Sequence, residues 1–417
     1  MNTPNLDTDL LKHLIHKLGI HVTRYKKNKH DEVINLKPKG KCYGNVLLGT
    51  IIDPFLTGEE EEICNKHTDY GESYEMAKTL LELGFQVDII SHLRNEFLPR
   101  KKYFLYINFQ NRFEHISRYL NDDCIKIVHL NFCHWAFNNY SALKRVRALE
   151  ARRGIALSSL RLKTPNNAIE HCDYATTMGN DFTIGTYEYA NKQIYKTNIP
   201  TYTTYDWPEN KNFEKCKKNF LWFGSTGLVH KGLDLVLEAF ADLPDYNLTV
   251  CGPIDEDEDF KKEYYKELFE TPNIFTKGWV DISSQEFIDI ANSNIALIFA
   301  SCAEAFNGGT VTCMQAGIIP IVSLETAVDI DPSYGVLLKD STIPEIKKNV
   351  IKVSNLPEGK LSNMARNSWE YARNNHTQER FHESYKKAIL DIIGKELKKR
   401  KQKSRLVSFQ PNMLEKS

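Results

Sequence analysis

"FASCAEAFNGGTVTCMQAGIIPIVS", residues 299–323, decides how this chain is read. Two greasy runs flank one acid, Glu304, and a turn, Asn307-Gly308-Gly309. An apolar segment then runs to Gly317. If residues 295–301 are a buried strand and a helix starts near Thr310, Glu304 sits in the loop at the strand's carboxyl end. Asn307, Gly308, Gly309 and Thr310 then lie at the helix's first turn. Glycines let a ligand approach the backbone closely. Free N–H groups at the positive end of a helix dipole favour a phosphate. A carboxylate near that phosphate would repel it, so Glu304 is better used accepting hydrogen bonds from hydroxyl groups. A phosphate joined to a polyhydroxyl group describes a nucleotide sugar. A plain turn with a helix-capping acid is the other reading of the same residues.

Working outward, "FLWFGSTGLVHKGLDLVLEAF" (220–240) is a hydrophobic strand, a glycine-bearing loop and an amphipathic helix. Gly224, Ser225 and Thr226 open the loop, and Lys231 closes it. Backbone amides and Lys231 can hold a diphosphate and stabilise charge as it leaves; a plain tight turn is the other reading of the loop. The Walker spacing and G-x-G-x-x-G are both absent, which disfavours a dinucleotide oxidoreductase. His230 reads as solvent-exposed.

Strand-like and helical patterns alternate along most of the chain, which argues for parallel α/β sheets. Strands are expected at 45–52, 86–91, 125–130, 174–178 and 199–204, then at 220–224, 247–252, 274–280, 295–301 and 319–323. Helices are expected at 73–84, 141–154, 181–194, 232–243, 257–269, 284–293 and 310–316. Residues 206–218 carry many charges and no periodicity, and read as a linker. The expected division is an N-terminal Rossmann-like unit (1–205), that linker, a C-terminal donor unit (219–376), and a final helix with a basic tail (377–417). Two doubly wound sheets facing each other leave a cleft beyond the carboxyl ends of their strands, a usual place for a ligand. In the last helix Phe381, Tyr385, Ile389 and Ile392 share one face.

At 417 residues the chain exceeds what one core usually supports. Its 54 basic and 54 acidic residues cancel, so nothing steers it toward nucleic acid. Nine scattered cysteines without a C-x-x-C pair read as reduced thiols of a cytosolic protein. The start, "MNTPNLDTDLLKHLIHKLG", reads as a short amphipathic helix rather than a signal peptide. No apolar run is long enough to span a bilayer.

Residues 220–240, "TVCGP", and the run from Ile274 to Ser323 together resemble the donor-binding half of the large retaining glycosyltransferase family with the GT-B fold, family four. The resemblance covers roughly residues 218–390. The first half resembles that family only in its alternation. The resemblance implies that Glu304 is the first acid of a Glu-x7-Glu motif that binds the donor sugar. It implies that Asn307 to Thr310 hold the distal phosphate and that Lys231 neutralises the leaving group. Gly224 ends the first strand of that half, and Trp279 and Val280 lie where backbone groups hold the base. Two positions depart from the pattern. Thr312 stands where the second acid is expected, and Ser225 where an arginine is common.

In the first half, "VHLNFCHWAFNN" (128–139) follows a strand, so His134 should face the cleft; the resemblance implies that it orients the sugar, and a histidine with satisfied partners beside a packed Trp135 is the other reading. His129 reads as structural. Thr68, Asp69 and Gly71 precede or open a helix, as phosphate or acceptor contacts or as a plain cap. The acidic run 58–62 reads as a solvated loop. "KRVRALEARRG" (144–154) is a basic helix face, solvated or attractive to an anionic acceptor. The basic stretch 395–405 suits an anionic membrane surface or plain solvent.

The expectation is therefore a cytoplasmic, metal-independent enzyme without a cofactor, peripheral to the inner membrane face. It moves a sugar from a nucleotide-diphosphate sugar to a glycan or lipid-linked hydroxyl with retention. A nucleotide-sugar epimerase and a non-catalytic glycan- or nucleotide-binding module are the alternatives.

Overall fold

The computed structural model describes residues 31–56, 68–94, 97–158 and 160–409. The expected N-terminal helix and the acidic run at 58–62 lie outside them. Among the described residues thirteen strands form two sheets. The first contains β1 (Val33–Leu36), β2 (Gly44–Thr50), β3 (Phe85–Ser91), β4 (Leu105–Phe109), β5 (Ile125–Leu130), β6 (Tyr174–Thr177) and β7 (Ile194–Lys196). Their spatial order is β1-β3-β2-β4-β5-β6-β7, parallel except for β1. The second contains β8 (Asn219–Phe223), β9 (Asn247–Cys251), β10 (Ile274–Gly278), β11 (Ala296–Phe299), β12 (Ile319–Ser323) and β13 (Val336–Leu338). It is all parallel, in the order β10-β9-β8-β11-β12-β13. That is the doubly wound order, whose direction reverses between β8 and β11.

Several sequence expectations are corrected. Residues 199–204 are not a strand, and β7 lies just before them. Pro200 has no N–H to offer a ladder. The segment bonds sideways instead: Ile199 N donates to His376 Nδ1 at 3.3 Å, and Asn198 N to Ser384 Oγ at 3.1 Å. The helix expected at 181–194 is only Asp181–Gly185 plus a turn at Glu188–Ala190, with Asn191 at φ 47° breaking it. The helix expected at 257–269 is interrupted at Tyr264. Strands β1, β4 and β13 were not expected. β4 is the wholly buried run Leu105–Phe109, hidden in the sequence by its charged flanks. Residues 206–218 are packed: Phe213 and Cys216 are buried, and Lys211 Nζ donates to the carbonyls of Ala291 (2.8 Å) and Gly317 (3.1 Å).

The two sheets do not have wholly separate cores. The helix Trp135–Arg153 follows β5, yet Val146, Leu149 and the nearby Leu157 pack into the second sheet's hydrophobic cluster. The helix Gly308–Gln315 belongs to the second sheet, and its Cys313 lies in that same cluster. Its Val311 and Met314 enter the first sheet's cluster. The last helix, Gln378–Phe409, crosses back onto the first sheet. It buries Phe381, Tyr385, Ile389 and Ile392 there, as the stripe predicted. No helix among the described residues is long and apolar enough to cross a membrane.

Candidate active site

The loops leaving β8 and β11 lie on either side of the reversal point. Gly232 adopts φ +76°, and a Cβ there would stand 2.4 Å from the Ala300 carbonyl. Glycine thus lets the loop after β8 lie against the end of β11. Hydrogen bonds stitch the loops together: Cys302 N donates to His230 O at 2.9 Å, and the His230 ring pairs with the Ala303 carbonyl. His230 is therefore buried, not solvent-exposed as its polar neighbours suggested. Burial pushes its pKa down to about 4, against the pull of Glu304. It is neutral at pH 7.

This stitching brings Lys231 Nζ to 2.8 Å from Glu304 Oε1, with both side chains nearly buried. Ser301 Oγ donates to the same oxygen at 3.1 Å. Arg161 Nη1, from the first half of the chain, lies 3.3 Å from it. All three donors converge on Oε1. Burial would raise the Glu304 pKa, but Lys231 and Arg161 outweigh it and hold the carboxyl well below the usual range. Burial pulls Lys231 down to about 8, opposed by Glu304.

The helix start is capped by its own chain. Asn307 Oδ1 accepts from Thr310 N at 2.7 Å, so that amide is already taken. The first-turn amides of Gly308 and Gly309 have no acceptor within the helix, and both residues are half-buried. Thr310 Oγ1 is buried without a hydrogen-bond partner. Thr312 is buried too.

Arg161 and Lys163 were missed by the sequence reading. They sit in a segment between the 135–153 helix and the short helix Ala168–His171. Two asparagines pin that segment. Asn138 Nδ2 donates to Arg161 O at 3.0 Å. Asn139 Nδ2 donates to Lys163 O at 2.9 Å, and Lys163 N returns a bond to Asn139 Oδ1 at 2.8 Å. Burial, then Arg161, lowers the Lys163 pKa, with Glu304 opposing. Burial, reinforced by the Glu304 charge, pushes the Cys133 thiol up, so the loop after β5 lies within electrostatic reach of Glu304.

The remaining expected residues are more dispersed. His134 caps the 135–153 helix: its Nδ1 accepts from Ala136 N at 3.3 Å, and its Nε2 meets Tyr189 Oη at 3.1 Å. Burial lowers its pKa, against Glu170. Among the described residues no hydrogen bond joins it to Glu304 or Lys231. His129 is structural, with Nε2 at 2.6 Å from the buried Glu72. Gly224 packs against Trp222 and Phe299; Ser225 is half-buried and Thr226 exposed. Trp279 is 61% exposed, while Val280 is part of the core. Asp69 is within electrostatic reach of Lys163. A Cβ on Gly71 would strike the Tyr202 ring, so this glycine serves packing. Thr68 begins its helix (Thr68–Glu82), but its side chain is outside the described set.

The basic face at 144–154 is divided: Lys144 and Arg147 are exposed, while Arg152 and Arg153 are tied to acids of the second half. Arg152 Nη2 lies 2.6 Å from the buried Asp234 and its Nε 3.0 Å from Glu238. Arg153 pairs with Glu238 and Glu267. Beside it a cavity of about 680 Å³ is lined by Tyr140, Lys144, Arg145, Ser301, Cys302 and Lys339, among others. Ser301 and Cys302 form the wall it shares with the Glu304 site. Among the described residues no group of three His, Cys, Asp or Glu side chains is arranged for a metal ion.

No family model matches the sequence, and no curated protein matches it. Solved structures do match in fold. Sucrose-phosphate synthase from Thermosynechococcus elongatus is 12% identical, with 84% of this chain and 98% of that one covered and a TM-score of 0.57. A glycosyltransferase from Rickettsia africae is 12% identical, with 85% and 99% covered and a TM-score of 0.54. Anabaena HepE in complex with UDP-glucose is 13% identical, with 84% and 100% covered and a TM-score of 0.51. The chain spans about half the length of TarM, 54%, at a TM-score of 0.49. With two doubly wound sheets, a returning C-terminal helix and these neighbours, the chain has the GT-B fold.

Proposed function

We propose that the protein transfers a sugar from a nucleotide-diphosphate sugar to a hydroxyl acceptor, with retention at the anomeric carbon. The observation that carries this reading is the convergence of Lys231 and Arg161 on the buried Glu304 beside the start of the 308–315 helix. A pyrophosphate suits the two cations and the Gly308 and Gly309 amides. Glu304 Oε2 then accepts from a sugar hydroxyl. As the bond from the anomeric carbon to the phosphate oxygen breaks, Lys231, Arg161 and the amides stabilise the growing negative charge. The acceptor oxygen bonds to the same face of that carbon, and its proton goes to the departing phosphate oxygen. Fixed cations do this work in the proposal, so no metal is required. His134 orients the sugar in this reading, exchanging its Tyr189 contact for a sugar hydroxyl.

The acceptor is a cell-surface glycan or a lipid-linked sugar, and the cavity beside Ser301 gives it room. The protein then works in the cytoplasm. Its basic 395–405 stretch rests on the anionic inner membrane face, at about 1 kcal/mol for each basic residue near the surface that the protein's own groups do not hold, as they hold Lys395, Lys399 and Arg400.

The test is a binding and turnover panel of UDP, GDP, ADP and CMP sugars, with EDTA and with or without anionic vesicles. UDP-glucose comes first, since HepE binds it. Binding lost in Glu304→Ala and Lys231→Ala, with turnover surviving EDTA, is the expected result. Binding indifferent to both substitutions removes the site. A new epimer formed without acceptor turns the reading to an epimerase, and binding without any turnover to a non-catalytic module.

A further inference from the structure

Arg161 belongs to the first half of the chain, yet its guanidinium lies on a carboxylate of the second. We propose that Arg161 is the second cation of the pyrophosphate site, supplied across the cleft in place of an arginine after Gly224. The inference rests on the donor reading above.

Four observations carry it. The site carries more positive than negative charge without a ligand: Arg161, Lys163 and Lys231 gather around the buried Glu304, with Asp69 near Lys163 as the further acid. An anionic group offsets the excess in a site where unpaired charge is costly. The packing is fitted to an arginine. Gly227 adopts φ +86°, and a Cβ there would stand 2.9 Å from Arg161 Cδ. The side chain therefore lies against the same loop that carries Ser225. The arginine is also held in place, since Asn138, 1% exposed, bonds its carbonyl. Finally, the guanidinium shares Glu304 Oε1 with Lys231, so both cations address one point. An anion there is gripped by both halves of the molecule.

The experiment compares UDP, GDP and ADP with their monophosphates by isothermal titration. It uses the wild-type protein, Lys231→Ala, Arg161→Ala, Arg161→Gln, and Arg161→Ala combined with Ser225→Arg. Circular dichroism and thermal melting establish that each variant folds. Both Arg161 variants should weaken diphosphate binding about tenfold or more and leave monophosphate binding within about threefold. Ser225→Arg should recover most of that loss. A merely structural arginine would weaken both ligands alike and would not be rescued at residue 225, and either result overturns the proposal. Diphosphate binding untouched in Arg161→Ala but lost in Lys231→Ala sinks this inference and spares the donor reading. No diphosphate binding in the wild type sinks both.

Discussion

Lys231 sets the pH range over which the site can hold an anion. Burial brings its pKa down to about 8, so it gives up its proton as the pH rises through that value. A pyrophosphate favours the charged lysine, so binding above pH 8 must take up a proton. Nucleoside diphosphate affinity should therefore fall from pH 7.5 to 9.5 by about tenfold per unit at the steepest, and Lys231→Arg should flatten the fall. Titration in buffers of different ionisation enthalpy reports the proton directly; an affinity flat across this range counts against the assignment. Glu304 and Lys231 were legible because each sits in a local strand–loop–helix pattern. Arg161 was not, because its segment has no periodicity and its partner is 143 residues away. His230 was misread for a related reason: only the tertiary stitch to Cys302 and Ala303 buries it.

At the scale of elements, amphipathic stripes were the easiest thing to read. The last helix buries the face its sequence predicts. Gly394 lies within that helix, and a Cβ there meets nothing within 4 Å. Gly394→Ala should raise stability by roughly 0.5–1 kcal/mol, through helix propensity and a less flexible unfolded chain. Urea unfolding measures it, and an unchanged or lower midpoint would refute it. The 308–315 helix was harder. Residues from Thr310 to Gln315 are all buried, so no polar face gives its orientation away. Strand β4 escaped notice because five buried residues between charged flanks are too short to show a period. Residues 199–204 misled in the opposite sense: they have strand-like composition, but their bonds run to helix ends rather than to a neighbouring strand.

For the whole molecule, alternation made the two sheets legible, while the way they are joined was not. The 135–153 helix looks like a basic surface, but its charges meet acids some eighty residues further on. Arg152→Ala leaves Asp234 wholly buried without its close cation. Burial raises the Asp234 pKa, and Arg145 and Arg152 oppose that rise. Without Arg152 the folded pKa climbs further above its unfolded value. The penalty is then largest at neutral pH and fades as acid protonates the group. A loss of about 3 kcal/mol is expected at pH 7, and a smaller one at pH 5, by urea denaturation at each pH. An equal loss at both would show that Asp234 is not the group involved.

The helix that begins at Gly308 is wedged between two interiors, with Val311 and Met314 on one side and Cys313 on the other. Exchanging either half for the matching part of a distant cousin would leave a ridge without its socket. Chimeras of this protein would have to carry that helix together with both surfaces that receive it.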